Sequence, residues 1–183
     1  MGLELHGLDT AEQVFFYEQD FYVLSNFSAF EVMWSDSYSF KTAEHCYHWL
    51  RFATGAANGR LGGARPTDEA MAVADAVRRA TSAHDAFKIA QENKHLQRAD
   101  WNDVKVEKMR MVIRSKARQH EYVHRKLLAT GDRELVENSW RDDFWGWGPN
   151  RNGRNVLGKL WMEVRAELRK ALESDASPSS GDE

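Results

Sequence analysis

The sequence predicts an α+β fold that is predominantly helical, with about six or seven helices and a small antiparallel sheet. Helical period dominates residues 68–80, 83–91, 102–120 and 156–172, where apolar side chains recur every three or four positions. Strand-like runs are few and short, at 14–17, 30–34, 38–40 and 134–137. At 183 residues the chain can bury one sizeable core and is too short for two comfortable ones.

Taken in order, residues 1–11 carry little pattern and read as a loose lead-in to a single domain over 12–172. Val14, Phe15, Phe16 and Tyr17 suit a strand that stops at the polar Glu18, Gln19 and Asp20. A loop follows at 24–28, because Ser and Asn side chains compete for backbone partners. Residues 30–34 and 38–40, joined by the turn cluster Ser35, Asp36 and Ser37, predict a hairpin. It leads to Thr42, whose hydroxyl can cap a helix starting at Ala43. Residues 54–66 turn to Gly and Ala and read as a flexible loop; a P-loop is excluded because no Gly-Lys-Ser/Thr ending is present. The segments 68–80 and 83–91 are alanine-rich helices without evident chemistry, though Lys88 and Lys94 could reach a phosphate. Residues 102–120 form a strong helix with Val104, Met109, Val112 and Ile113 facing the core and Trp101 at its entrance. After a short strand at 134–137, Asn155 stands where it can cap the last helix, 156–172. The tail at 173–183 is acidic, Ser-rich and expected to be disordered.

Composition sets outer bounds. Apolar residues at 42% and charged residues at 29% describe an ordinary globule, and a net charge of −3 supplies no global pull toward nucleic acid or anionic membrane. The single cysteine, Cys46, rules out an intramolecular disulfide and a Cys-based zinc cluster. No apolar run approaches the length of a membrane span and no leader pattern is seen, so a cytoplasmic protein without membrane contact is expected. Seven tryptophans exceed what a core of this size needs, and indole faces suit a planar ligand as well as a core.

The densest chemistry lies in FKTAEHCYHWLRF, residues 40–52. On a helix, His45, Trp49 and Phe52 share one face and Glu44, Tyr47, His48 and Arg51 another, so one face reads as core and the other can line a cleft. Glu44 in the first turn also simply complements the helix dipole. The spacings of His45 with His48 and of His120 with His124 offer two metal ligands each and no third, so neither a metal nor a cofactor is called for. The segment 139–149, SWRDDFWGWGP, is too polar for core and too aromatic for a plain surface loop. Arg151 and Arg154, beside the last helix's start, suit phosphate oxygens, and equally suit plain solvation.

The segments FYVLSNFSAFEVMW, FKTAEHCYHWLRF, RADWNDVKVEKMR, TGDRELVE, RDDFWGWG and GRNVLGKLWMEVR, in this order, resemble the YbiA-like, or NADAR, family of N-glycosidases over residues 14–172. The resemblance implies that Glu44 of KTAEH, Trp101 of DW, Asp142, Trp145 and Gly146 of RDDFWG and Asn155 of GRN belong to the site. It implies too that the SNF loop lines the pocket, with Asn26 and Phe27 as ligand contacts. Two departures stand out: the Gly/Ala insert at 54–66, and His48, where relatives commonly carry Gln.

A helix-borne carboxylate, ring faces and two arginines suit a ligand with a planar base, a sugar and a phosphate. Hydrolysis of a C1′–N bond passes through an oxocarbenium-like state, which a carboxylate stabilises, or for which it activates water. Glu44 is the first choice for that role. Asp142 is the second carboxylate, held to the ribose hydroxyls or carrying a proton to the leaving nitrogen. His48, Arg151 and Arg154 join Asn26, Phe27, Trp101, Trp145, Gly146 and Asn155 as substrate contacts. The resemblance implies phosphoribosylamino-pyrimidine intermediates of riboflavin synthesis as substrates, or ADP-ribose on guanine bases of nucleic acid. A nucleotide or ADP-ribose binding module without turnover would use the same rings and arginines. RNA binding is disfavoured by the acidic balance.

Overall fold

The structure, a computed structural model, describes residues 7–17, 22–53 and 66–176. By its internal contacts the chain falls into two compact units, one of residues 25–120 and one of residues 1–24 with 121–183. Among the described residues there are six α-helices and two separate two-stranded pairings.

The unit 25–120 grows from a hairpin. Strands β1 (Gln13–Phe16) and β4 (Glu134–Glu137) belong to the other unit, whereas β2 (Val32–Ser35) and β3 (Tyr38–Phe40) pair antiparallel here, with a register irregularity between Met33 and Ser35. The Gln119 amide receives the Met33 N–H at 2.8 Å and donates to the Met33 carbonyl at 2.7 Å, so it covers the strand edge as a neighbouring strand would. The hairpin ends at Thr42, whose hydroxyl accepts the His45 N–H at 3.3 Å and opens α1 (Ala43–Leu50) as its predicted cap.

All eight residues of helix α1 are buried, those of the Glu44 face as well as those of the core face. The cause is its neighbours: the hairpin, α2 (Asp68–Arg79), α3 (Ala83–Glu92) and α4 (Trp101–Gln119) all pack on it. Trp49 sits against Tyr38 at 4.8 Å and Phe40 at 5.2 Å, and truncating such an indole typically costs about 3–5 kcal/mol. The His45 ring bridges the Thr42 hydroxyl at 2.8 Å and the Ala80 carbonyl at 3.2 Å, tying the start of α1 to the end of α2. On α4, Met109, Val112 and Ile113 are buried as the periodicity requires, while Val104 is only half-buried.

Lys116 of α4 is fully buried, and its ammonium donates to the Ser25 carbonyl at 2.9 Å and the Ser28 hydroxyl at 2.6 Å. Burial pushes it down from 10.5 to about 7. Between those values the unfolded chain holds a proton that the folded chain releases, so this group makes stability rise with pH from about 7 to 10.5. The slope is about 1.4 kcal/mol per pH unit. Urea unfolding of the wild type and Lys116→Met at pH 7, 8 and 9 is expected to show a stability difference that shifts by that amount per unit, favouring the lysine as pH rises. A constant difference would contradict the buried titration.

In the other unit β1 and β4 pair in parallel, Val14 opposite Leu135 and Phe16 opposite Glu137. The expected small antiparallel sheet therefore holds for β2–β3 only, because strands so far apart in sequence are free of hairpin constraint. The lead-in is not loose at 7–11: Asp9 accepts the Phe15 N–H at 2.7 Å and Thr10 accepts those of Glu12 and Gln13. Residues 1–6 lie outside the described residues. Helices α5 (Glu121–Ala129) and α6 (Val156–Ala176) complete the unit, with α6 lying against β4. Trp161 is fully buried and its indole N–H donates to the Leu24 carbonyl at 2.9 Å; Arg165 reaches the Thr130 hydroxyl and the Arg133 carbonyl. Helix α6 runs four residues past Leu172, so 173–176 is helical and not disordered. Residues 177–183 and the Gly/Ala segment up to 65 lie outside the described residues.

Candidate active site

Within the unit 25–120, the structure brings Asn26, Glu44 and His48 together. The Asn26 carbonyl accepts the Glu44 N–H at 3.0 Å, which joins the SNF loop to the first turn of α1. One turn on, His48 Nε2 donates to Glu44 Oε1 at 2.8 Å. Oε1 is therefore fixed, and the carboxylate is aimed by its own helix. Glu44 Oε2 makes no hydrogen bond among the described residues, yet it is not one of the unpaired atoms sealed from solvent. The side chain keeps 9% of its surface accessible, and Oε2 is the atom through which a ligand or water can reach it. A carboxylate with one oxygen anchored and one open suits charge stabilisation at a developing cation.

Two further buried atoms, Asn26 Oδ1 and His48 Nδ1, have no hydrogen-bond partner among the described residues. The Asn26 amide is held only by a contact of Nδ2 with the Met109 sulfur at 3.3 Å. Buried polar atoms left unsatisfied call for a partner that the protein itself does not supply, such as water or a polar ligand.

The rings divide differently from expectation. Trp101 begins α4 and packs on Tyr47 at 5.0 Å with 5% of its surface accessible, so it backs the site as a wall and offers little open face. Phe27 is open, at 40% exposure. So is Phe87 of α3, at 39%, whose ring stands edge-on to His48 at 5.8 Å and is stacked with His84 at 6.4 Å. Sequence reading missed Phe87, having found nothing in that helix beyond a lysine, Lys88, that could reach a phosphate. The signal was there: Ala83, Ala86 and Ala90 form the buried stripe, and Phe87 stands off it, where the core gives a large ring no reason to be.

The other predicted residues belong to the second unit, in the segment between β4 and α6. Asp142 Oδ1 accepts the N–H groups of Phe144 and Trp145, both at 2.8 Å, so this carboxylate shapes the turn that presents Trp145. Trp145 is half-buried and edge-on to Phe144 at 5.0 Å. At Gly146 an added Cβ would meet the Glu137 carbonyl and the Ser139 Cβ, each at 2.8 Å, so the glycine serves close packing of the loop on the end of β4. Asn155 does not cap α6 with its side chain. It adopts φ +48° and clamps β4 instead, donating to the Leu135 carbonyl at 2.8 Å and accepting the Glu137 N–H at 3.0 Å. The Val156 and Leu157 N–H groups at the start of α6 are taken by the carbonyls of Phe144 and Trp145. Arg151 and Arg154 are exposed, their guanidinium groups over the rings of Trp147 at 5.5 Å and Phe144 at 4.6 Å. An anion here would meet the two arginines rather than free N–H groups of the helix start.

A model of the NADAR domain matches residues 15–169. The chain belongs to the NADAR family. Among NADAR relatives, the N-glycosidase Npun_R5314 of Nostoc punctiforme is 34% identical over 87% of this chain and 94% of its own length. The N-glycosidase YbiA of Escherichia coli is 30% identical over 87% of this chain and 89% of its length. The riboflavin biosynthesis protein VVA0006 of Vibrio vulnificus is 47% identical over 51% of this chain, a match that spans only 26% of that longer protein. The NMR structure of E. coli YbiA superposes with a TM-score of 0.73 at 27% identity, over 98% of this chain and 97% of that one, in agreement with the predominantly helical α+β fold. No helix among the described residues is long and apolar enough to cross a membrane.

Proposed function

We propose that this NADAR chain is an N-glycosidase that hydrolyses the C1′–N bond of phosphoribosylamino-pyrimidine intermediates of riboflavin synthesis, with Glu44 as its key carboxylate. The observation that carries the reading is the Glu44 side chain, anchored through Oε1 by His48 and open at Oε2. The relatives named N-glycosidase or riboflavin biosynthesis protein support the reaction and the substrate class.

As the C1′–N bond breaks, its electron pair leaves with the nitrogen and positive charge gathers on C1′ and the ring oxygen. Glu44 stabilises that charge and activates a water at C1′, its carboxylate taking the water's proton as the new C1′–O bond forms. A proton must reach the leaving nitrogen, and Asp142 is the residue proposed to carry it or to hold the ribose hydroxyls. Asn26, Phe27, His48, Trp101, Trp145 and Gly146 are proposed as contacts to the base and sugar. Arg151 and Arg154 are proposed as contacts to phosphate, and Asn155 as a further contact. A pure binding module would gain little from a carboxylate held open toward a phosphorylated ligand.

Purified protein incubated separately with the riboflavin intermediates and with ADP-ribosylated guanosine or DNA, and followed by mass spectrometry, tests the reading. Release of ribose 5-phosphate from the first pool is expected. Consumption of the second pool alone would reassign the substrate to ADP-ribosyl conjugates, and consumption of neither would leave a binding module.

Phe87→Ala is expected to raise KM about tenfold with kcat within about twofold, since a base–aromatic contact is worth about 1–3 kcal/mol and acts on binding rather than on bond cleavage. Phe87→Tyr, which keeps the ring, is expected to restore KM. Unchanged KM in Phe87→Ala would show that the ring is only surface.

A further inference from the structure

A second buried cation on α4 has no use in the account so far. Trp101, Lys105, Lys108, Val112 and Lys116 recur every three or four residues and share one face of the helix. Lys116 is satisfied by the Ser25 carbonyl and the Ser28 hydroxyl. Lys108 is not: it is only 3% exposed and makes no hydrogen bond or ion pair among the described residues. Its amine is also not one of the unpaired atoms sealed from solvent, so an opening leads to it. A buried ammonium without a hydrogen-bond acceptor is destabilising, and a methionine would fill the same space without that penalty.

We propose that Lys108, together with Arg98, forms a binding site for a phosphate group of the ligand on the Trp101 face of α4. Arg98 is 7% exposed and grips Asp100 through both guanidinium edges, Nε to Oδ1 at 2.5 Å and Nη2 to Oδ2 at 2.8 Å. Both Asp100 oxygens are thus hydrogen-bonded to Arg98, and the carboxylate reaches Lys108 only through its field. Glu107, the neighbour of Lys108 on the helix, is bonded to Arg110. Asp100 and Glu107 act on Lys108 through their charge alone and give it no hydrogen bond, so a phosphate dianion would supply the acceptor oxygens that its three ammonium donors lack. Burial and the nearby Arg98 charge hold the amine below its usual range, the direction an incoming anion reverses. The site uses different residues from Arg151 and Arg154 and deepens the N-glycosidase reading by giving the phosphorylated substrate a partner near the Trp101 wall.

The test is direct binding, which needs no turnover. Ribose 5-phosphate and ribose are titrated calorimetrically into the wild type, Lys108→Met and Lys108→Arg, and each ligand-free protein is melted. The wild type is expected to bind the phosphate ester at least about tenfold more tightly than ribose. Lys108→Met is expected to lose most of that preference while melting at the same temperature or higher, and Lys108→Arg to keep it. A Lys108→Met protein that retains the preference, melts lower at unchanged affinity, or fails to fold would overturn the proposal, since each makes the lysine structural. Loss of the preference in Lys108→Met would uphold the phosphate site even where no glycosidase turnover is detected. Turnover with the preference retained would sink the site alone.

Discussion

Glu44→Gln is expected to lower kcat about a thousandfold with KM within about threefold, as found when a group that acts on transition-state charge is neutralised. Glutamine keeps the side chain's length and an oxygen for the His48 N–H, so the link that fixes the carboxylate within α1 remains. Only the charge is removed. The variant should therefore fold and melt like the wild type while turnover collapses, and steady-state kinetics on an authentic riboflavin intermediate beside a thermal melt checks both halves. Wild-type kcat in Glu44→Gln would refute the catalytic role. A KM rise without a kcat fall would make Glu44 a binding group.

The largest expected effect on folding lies in the other unit, at Gly158. A Cβ there would clash with the Leu135 carbonyl oxygen and stand within 2.7 Å of both Asn155 amide atoms. The first of these is backbone of β4, which pairs with β1 and cannot yield without breaking that pairing. Inside a helix, Gly→Ala normally stabilises by about 1 kcal/mol. Here the sign inverts: Gly158→Ala is expected to destabilise by about 3 kcal/mol, lowering the melting temperature by about 6–12 °C. Denaturant unfolding measures it directly, and a neutral or stabilised variant would contradict the packing of α6 on β4. Because the clash also displaces the Asn155 clamp, the segment carrying Asp142 and Trp145 should loosen with it.

Local signals carried much of this fold. The Thr42 cap, the 32–40 hairpin and the alternation of alanine-rich helices each rest on residues within one turn or one hairpin of each other, and each formed where its residues pointed. Family membership was legible too, because motif residues keep their order along the chain. Long-range partners were not legible. The parallel pairing of β1 with β4 joins strands more than a hundred residues apart, and no short-range pattern encodes it. Asn155 has the residue type of a helix cap, yet a positive φ turns its amide to β4, where two backbone groups needed partners. Trp101 shows the same limit: its type does not tell that its ring packs on Tyr47 with 5% of its surface accessible.

The sequence by itself determined that a glutamate opens a capped helix with a histidine one turn later, since the 3.6-residue period alone puts those two side chains in reach. Only the tertiary structure decided that this helix is packed on by the hairpin and three helices, leaving Glu44 one anchored and one open oxygen, that Phe87 stands beside His48, and that Lys108 is buried without a hydrogen bond among the described residues. Exposure is set by which elements pack on which, and packing depends on contacts between residues distant in the chain that no local pattern records.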